Sequence, residues 1–99
     1  MDRIEKLLAD LENTDWHVRD CAIKNLGKIK DQRAVEAIIN ALKHRDEWTR
    51  RSAALRLGEI NDSQVAIPLI NALKDESVIV RRAVVKALGE IRDPQAVMP

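Results

Sequence analysis

A phrase written three times at a spacing of 31 residues constrains this chain more than any other feature: CAIKNLGKIKD ending at Asp31, SAALRLGEIND at Asp62 and AVVKALGEIRD at Asp93. Sliding the sequence by that period makes six columns identical: Leu11/Leu42/Leu73, Arg19/Arg50/Arg81, Leu26/Leu57/Leu88, Gly27/Gly58/Gly89, Ile29/Ile60/Ile91 and Asp31/Asp62/Asp93. A period between roughly 20 and 50 residues marks stacked units, because each unit leaves an apolar face that only its neighbour covers.

Each unit divides into two amphipathic halves. In the first half Ile4, Leu7, Leu8 and Leu11 recur as Val35, Ile38, Ile39 and Leu42, then as Ala66, Leu69, Ile70 and Leu73. That i, i+3, i+4, i+7 spacing is a helix with one buried stripe. In the second half Val18, Ala22, Leu26 and Ile29 recur as Thr49, Ala53, Leu57 and Ile60, then as Val80, Val84, Leu88 and Ile91. Thr49 alone is not apolar.

The punctuation agrees with this division. Asp15, Asp46 and Ser77 stand where they can cap the second helices, and Asp31, Asp62 and Asp93 where they can cap the first helix of the next unit. Asp2 with Glu5 forms a possible capping box, so the polar N-terminal turn reads as a terminus. Pro94 suits a first helical position, whereas Pro68 falls in the opening turns of its helix and can bend them. The units are therefore 1–31, 32–62 and 63–93 of one solenoid domain, with 94–99 a truncated fourth. The third unit has the most β-branched second helix. Its Val84 and Val85 are expected to be covered by another chain, most simply by two-fold pairing of C-terminal repeats.

Composition narrows the function. Lys and Arg number 17 against 16 Asp and Glu, a net charge of +1, without the basic excess that nucleic-acid binding usually requires. The single cysteine, Cys21, allows no internal disulfide, so a reducing cytoplasm is the default setting. No apolar run is long enough to enter a membrane. Cys21 shares its column with Ser52 and Ala83, which reads as a small packing position. Gly27, Gly58 and Gly89 lack the companions of a phosphate loop and read as close helix approaches or helix ends. Arg19, Arg50 and Arg81 read as a structural ladder bonding Asp15, Asp46 or loop carbonyls between units.

The run Val18-Arg19, Ala22, Leu26-Gly27-x-Ile29-x-Asp31, followed by RAVEAIINAL, resembles the HEAT-like repeats first described in phycobilisome lyases, a short-period relative of the general HEAT repeat. The resemblance covers essentially the whole chain. It implies an all-α fold, a right-handed α-solenoid of three helix pairs with first helices convex and second helices concave. Iron-holding members of the wider repeat family, the deoxyhypusine hydroxylases, use His-Glu pairs, whereas here the pairs read His17-Val18 and His44-Arg45. No metal, no cofactor and no catalytic residue is expected.

The face of each second helix opposite its stripe varies between copies, so the fold does not dictate it. It reads His17, Asp20, Lys24, Lys28, then Trp48, Arg51, Leu55, Glu59, then Ile79, Arg82, Lys86, Glu90. Trp48, Leu55 and Ile79 ringed by Arg51, Arg82, Lys24 and Lys86 have the makeup of a protein-binding surface. Trp16, one column earlier, reads as loop packing. The expected function is a protein-interaction scaffold or adaptor. The resemblance also suggests an accessory to a bilin lyase-type system, and the concave face offers nucleic-acid binding as a further alternative. Asp20, Glu59 and Glu90 weaken the nucleic-acid reading.

Overall fold

A computed structural model describes residues 2–60 and 62–91. The expectations for Asp93, Pro94 and the fourth unit lie outside the described residues.

Among the described residues six α-helices follow one another as three pairs: α1 (Arg3–Asp10) with α2 (Trp16–Leu26), α3 (Gln32–Ala41) with α4 (Glu47–Glu59), and α5 (Ala66–Asn71) with α6 (Val78–Glu90). Among the described residues there is no strand, and the fold is an α-solenoid of helix pairs. Each pair packs on itself, and the second helices stack in sequence, α2 on α4 and α4 on α6. The stack measures 46 × 29 × 15 Å. Ile23, Leu26, Ile38, Leu57, Leu69, Val80 and Val84 are fully buried. Full burial of each such side chain is worth about 1.5–3 kcal/mol, so the core is assembled along the length of the stack.

The predicted caps form at both kinds of helix start. Asp2 accepts from the Glu5 N–H at 2.8 Å, Asp15 from His17 at 2.9 Å and Asp31 from Arg33 at 2.8 Å. Asp46 accepts from Thr49 at 3.2 Å and Asp62 from Gln64 at 2.8 Å. Ser77 departs from the expectation and caps nothing. Its hydroxyl instead donates to Glu47 Oε2 at 2.6 Å, tying the start of α6 to the start of α4. Pro68 acts as its missing N–H dictates. The first helix of the third unit is a short α-helix between two 3-10 turns, Ser63–Val65 and Ala72–Lys74.

The arginine column makes bonds that differ from unit to unit, and none of them goes to Asp15. Arg19 donates from Nη2 to Asp46 Oδ2 at 2.9 Å, from Nη1 to the Asn13 carbonyl at 2.7 Å and from Nε to Thr49 Oγ1 at 2.9 Å. Thr49 Oγ1 itself donates to Asp46 at 2.8 Å, so the one polar residue in the buried stripe completes this bond set. Arg50 cannot repeat the pattern, because the cap column of the next unit holds Ser77. It turns to Asp75, donating from Nε at 2.9 Å and from Nη2 at 3.2 Å, with Nη1 on the carbonyls of His44 and Arg45. Arg81 donates to the Asp75 carbonyl at 2.7 Å and has no carboxylate partner among the described residues.

The glycine column splits in the same way. A Cβ on Gly27 would lie 2.6 Å from Arg56 Cγ and Cδ, and one on Gly58 would lie 2.6 Å from Ala87 Cα, while one on Gly89 would meet nothing within 4 Å among the described residues. None of the three has a positive φ, so close approach explains the first two and left-handed helix termination explains none. Cys21, expected at a small packing position, is instead exposed, whereas Ala83 in its column is buried.

Candidate functional site

The neighbouring second helices α2 and α4 leave between them an open groove of about 690 Å³. From α2 it is lined by Trp16, Asp20 and Lys24, and from α4 by Trp48, Arg51, Ser52, Leu55 and Arg56. These positions share faces because residues three and four apart on a helix lie side by side. Trp16 and Trp48 are 50% and 51% exposed, unusual for the largest apolar side chains in a chain that has no other aromatic.

Of the seven residues expected to bind a partner, Lys24, Trp48, Arg51 and Leu55 meet in this groove. Ile79, Arg82 and Lys86 lie on α6 outside its lining, with Ile79 half-buried and the other two exposed. The sequence points to loop packing for Trp16, yet the ring forms one wall of the groove. Its ring stacks on the His17 imidazole with centroids 4.0 Å apart at 25°, which holds it in place. The signal that could have found it is the i, i+4, i+8 spacing of Trp16, Asp20 and Lys24.

The floor is polar and internally bonded. Asp20 accepts from the Ser52 hydroxyl through one oxygen and meets Lys24 Nζ at 2.9 Å through the other. Burial works against that carboxylate, but these two bonds, with the charges of Lys24 and Arg56, outweigh it and hold its pKa below the ordinary aspartate value. Arg56 lies with its stem over Gly27 and pairs with Glu59 at 2.7 Å. Arg51 is exposed and has no ion-pair partner among the described residues.

The two histidines have structural surroundings. His17 stacks on Trp16, and His44 accepts the Asp46 N–H at Nδ1, 3.0 Å away. Burial and the charge of Arg19 push His44 below the ordinary imidazole value despite the opposing pull of Glu12 and Asp46, which suits an accepting nitrogen. Asp46 is likewise held below the ordinary aspartate value. Burial opposes this, but hydrogen bonds from the Thr49 hydroxyl, Arg19 and the backbone of Trp48 and Thr49 prevail. Among the described residues no three His, Cys, Asp or Glu side chains gather as metal ligands would, and no helix is long and apolar enough to cross a membrane.

An apolar-walled groove with one uncommitted guanidinium can hold a ligand. A family model described as HEAT repeats matches residues 4–78 and again residues 56–99. No curated protein matches the chain.

Proposed function

The chain belongs to the HEAT-repeat family, and from that premise we propose that it is a protein-interaction scaffold that holds its partner on the concave face of its second helices, in the groove between α2 and α4. The observation that carries this reading is the pairing of Trp16 and Trp48, both half-exposed, on one groove beside an unpaired Arg51. Trp and Arg dominate the energetic centres of protein interfaces. Burial in the fold does not account for either ring.

The test is photo-crosslinking in extract of the source cell, with the reactive amino acid at position 24 in the groove or at position 36 on the exposed side of α3. A discrete adduct is expected from position 24 alone, and Trp48→Ala in the same chain should abolish it. Adducts from position 36 only, or adducts indifferent to Trp48→Ala, would place the partner elsewhere.

A second contact is proposed at the C-terminal repeat, where two copies pair through α6. Val85 is 61% exposed, although Ile23 and Ala54 in its column are both 0% exposed. In an antiparallel pair centred on Val85, Arg81 and Gly89 lie four residues to either side. Each arginine stem then reaches the glycine of the other copy, as the Arg56 stem reaches Gly27 within one chain. Val85→Lys should shift a dimer to monomer in sedimentation while helicity is kept. A wild-type chain that stays monomeric at high concentration removes this contact.

A further inference from the structure

We propose that the groove between α2 and α4 takes an acidic peptide segment bearing an aliphatic side chain, which lies against Trp16 and Trp48 while a neighbouring carboxylate bonds Arg51. This rests on the groove being the partner site and names the chemistry of what enters it.

Charge accounting in the lining leads to the acidic class. Lys24 is committed to Asp20 at 2.9 Å and Arg56 to Glu59 at 2.7 Å. Both oxygens of Asp20 are engaged, one by Ser52 and one by Lys24, so the lining offers no free carboxylate to a basic ligand. Arg51 alone remains without an ion-pair or hydrogen-bond partner among the described residues, and a guanidinium is built to receive a carboxylate through two parallel bonds.

The apolar requirement comes from the rings. Tryptophan offers a large contact area for only two rotatable bonds, so little order is lost when a ligand covers it. Trp16 loses less still, since His17 already holds its ring. Leu55 extends the same wall. A groove of about 690 Å³ has the volume of sites that enclose small ligands, which suits a few peptide residues and not a folded domain.

The same rings would stack on nucleobases, so a single strand of nucleic acid is the competing ligand. A strand brings a phosphate with every nucleotide and is held by a track of cations. This groove has a single uncompensated cation and a carboxylate in its floor. The balance favours a peptide.

Both tryptophans of the chain line the groove, so their intrinsic emission reports its occupancy without a label. The full chain would be titrated with three probes: an acetylated and amidated peptide of leucines flanked by glutamates, the same peptide with lysines in place of glutamates, and an oligothymidylate. The acidic peptide should change the emission saturably, and added salt should weaken its binding. Arg51→Glu should weaken it by about tenfold or more, the effect of losing a hot-spot arginine. Arg51→Gln, which keeps the side chain polar but removes its charge, should give an intermediate loss, with far-UV spectra confirming that both variants fold. Equal binding of the lysine peptide, tighter binding of the oligothymidylate, or indifference to Arg51→Glu would overturn the proposal. If no probe changes the emission while crosslinking from position 24 still depends on Trp48, the groove reading stands and the acidic class is wrong. Loss of that crosslink as well would overturn both.

Discussion

Replacing Asp75 with alanine is expected to lower the unfolding free energy by about 3–5 kcal/mol, the usual cost of stranding one member of a buried ion pair. The Arg50 and Asp75 side chains are each only 9% exposed. The carboxylate accepts two bonds from Arg50 and a third from the Ser77 N–H at 2.9 Å. Alanine would leave a buried guanidinium with only the carbonyls of His44 and Arg45. Domains of this size are stable by about 5–15 kcal/mol in all, so the loss should be plain in a urea melt. Arg50→Ala should cost a similar amount. The double variant should cost less than the sum, because the second substitution removes the stranded charge that the first created. Lys6→Ala, which breaks the exposed Lys6–Asp10 pair, should leave the midpoint unchanged. If Asp75→Ala behaves like Lys6→Ala, the ladder does not hold the repeats together.

The second large effect is expected in the glycine column, where one substitution should give opposite signs at two positions. Gly58→Ala places a methyl 2.6 Å from the Ala87 Cα and 2.7 Å from its Cβ. Backbone cannot swing aside as a side chain can, so α4 and α6 must move apart, and overpacking of this kind costs about 1–3 kcal/mol. Gly89→Ala meets nothing within 4 Å among the described residues and lies inside α6. There alanine should stabilise by up to about 1 kcal/mol, through its better helix propensity and a less mobile unfolded chain. With about 4–8 °C of melting temperature per kcal/mol in a domain of this length, thermal melts should separate the two variants clearly. Equal shifts would mean that α4 and α6 do not approach as closely at Gly58 as described.

Much of the fold was legible in the chain because its causes are local. The stripe of Ile38 and Leu42 and that of Ala53 and Leu57 follow from helical spacing alone. The caps at Asp15, Asp31, Asp46 and Asp62 need only a side-chain oxygen just ahead of a run of free N–H groups. Ser77 satisfied the same local rule and still failed as a cap. Its hydroxyl had a better partner in Glu47, which is 30 residues away and adjacent only in the folded stack. Asp75 escaped notice for the same reason. The break in the acidic column at Ser77 was visible, but only the position of Arg50 shows that a carboxylate two residues earlier takes over the role.

The groove was half legible. Variation between copies singled out Lys24, Trp48, Arg51 and Leu55, because a surface the fold does not need is free to differ. Trp16 was missed because strict column alignment compares it with Glu47, whereas its spatial counterpart across the groove is Trp48, one column later. Helices in neighbouring units meet by geometry, and side chains from different columns share a surface.

By itself the sequence determined the repeat, its six helices and the residues each helix turns inward, since hydrogen bonding along a helix and burial of a stripe act within a few residues. Tertiary structure alone decided what identical residues do. Arg19 and Arg50 reach carboxylates of the following unit, whereas Arg81 has no carboxylate partner among the described residues. Gly58 is pressed against a neighbouring backbone while Gly89 meets no neighbour among the described residues. Each of these environments is made by the unit packed against it, and that contact is absent from the residue's own stretch of chain.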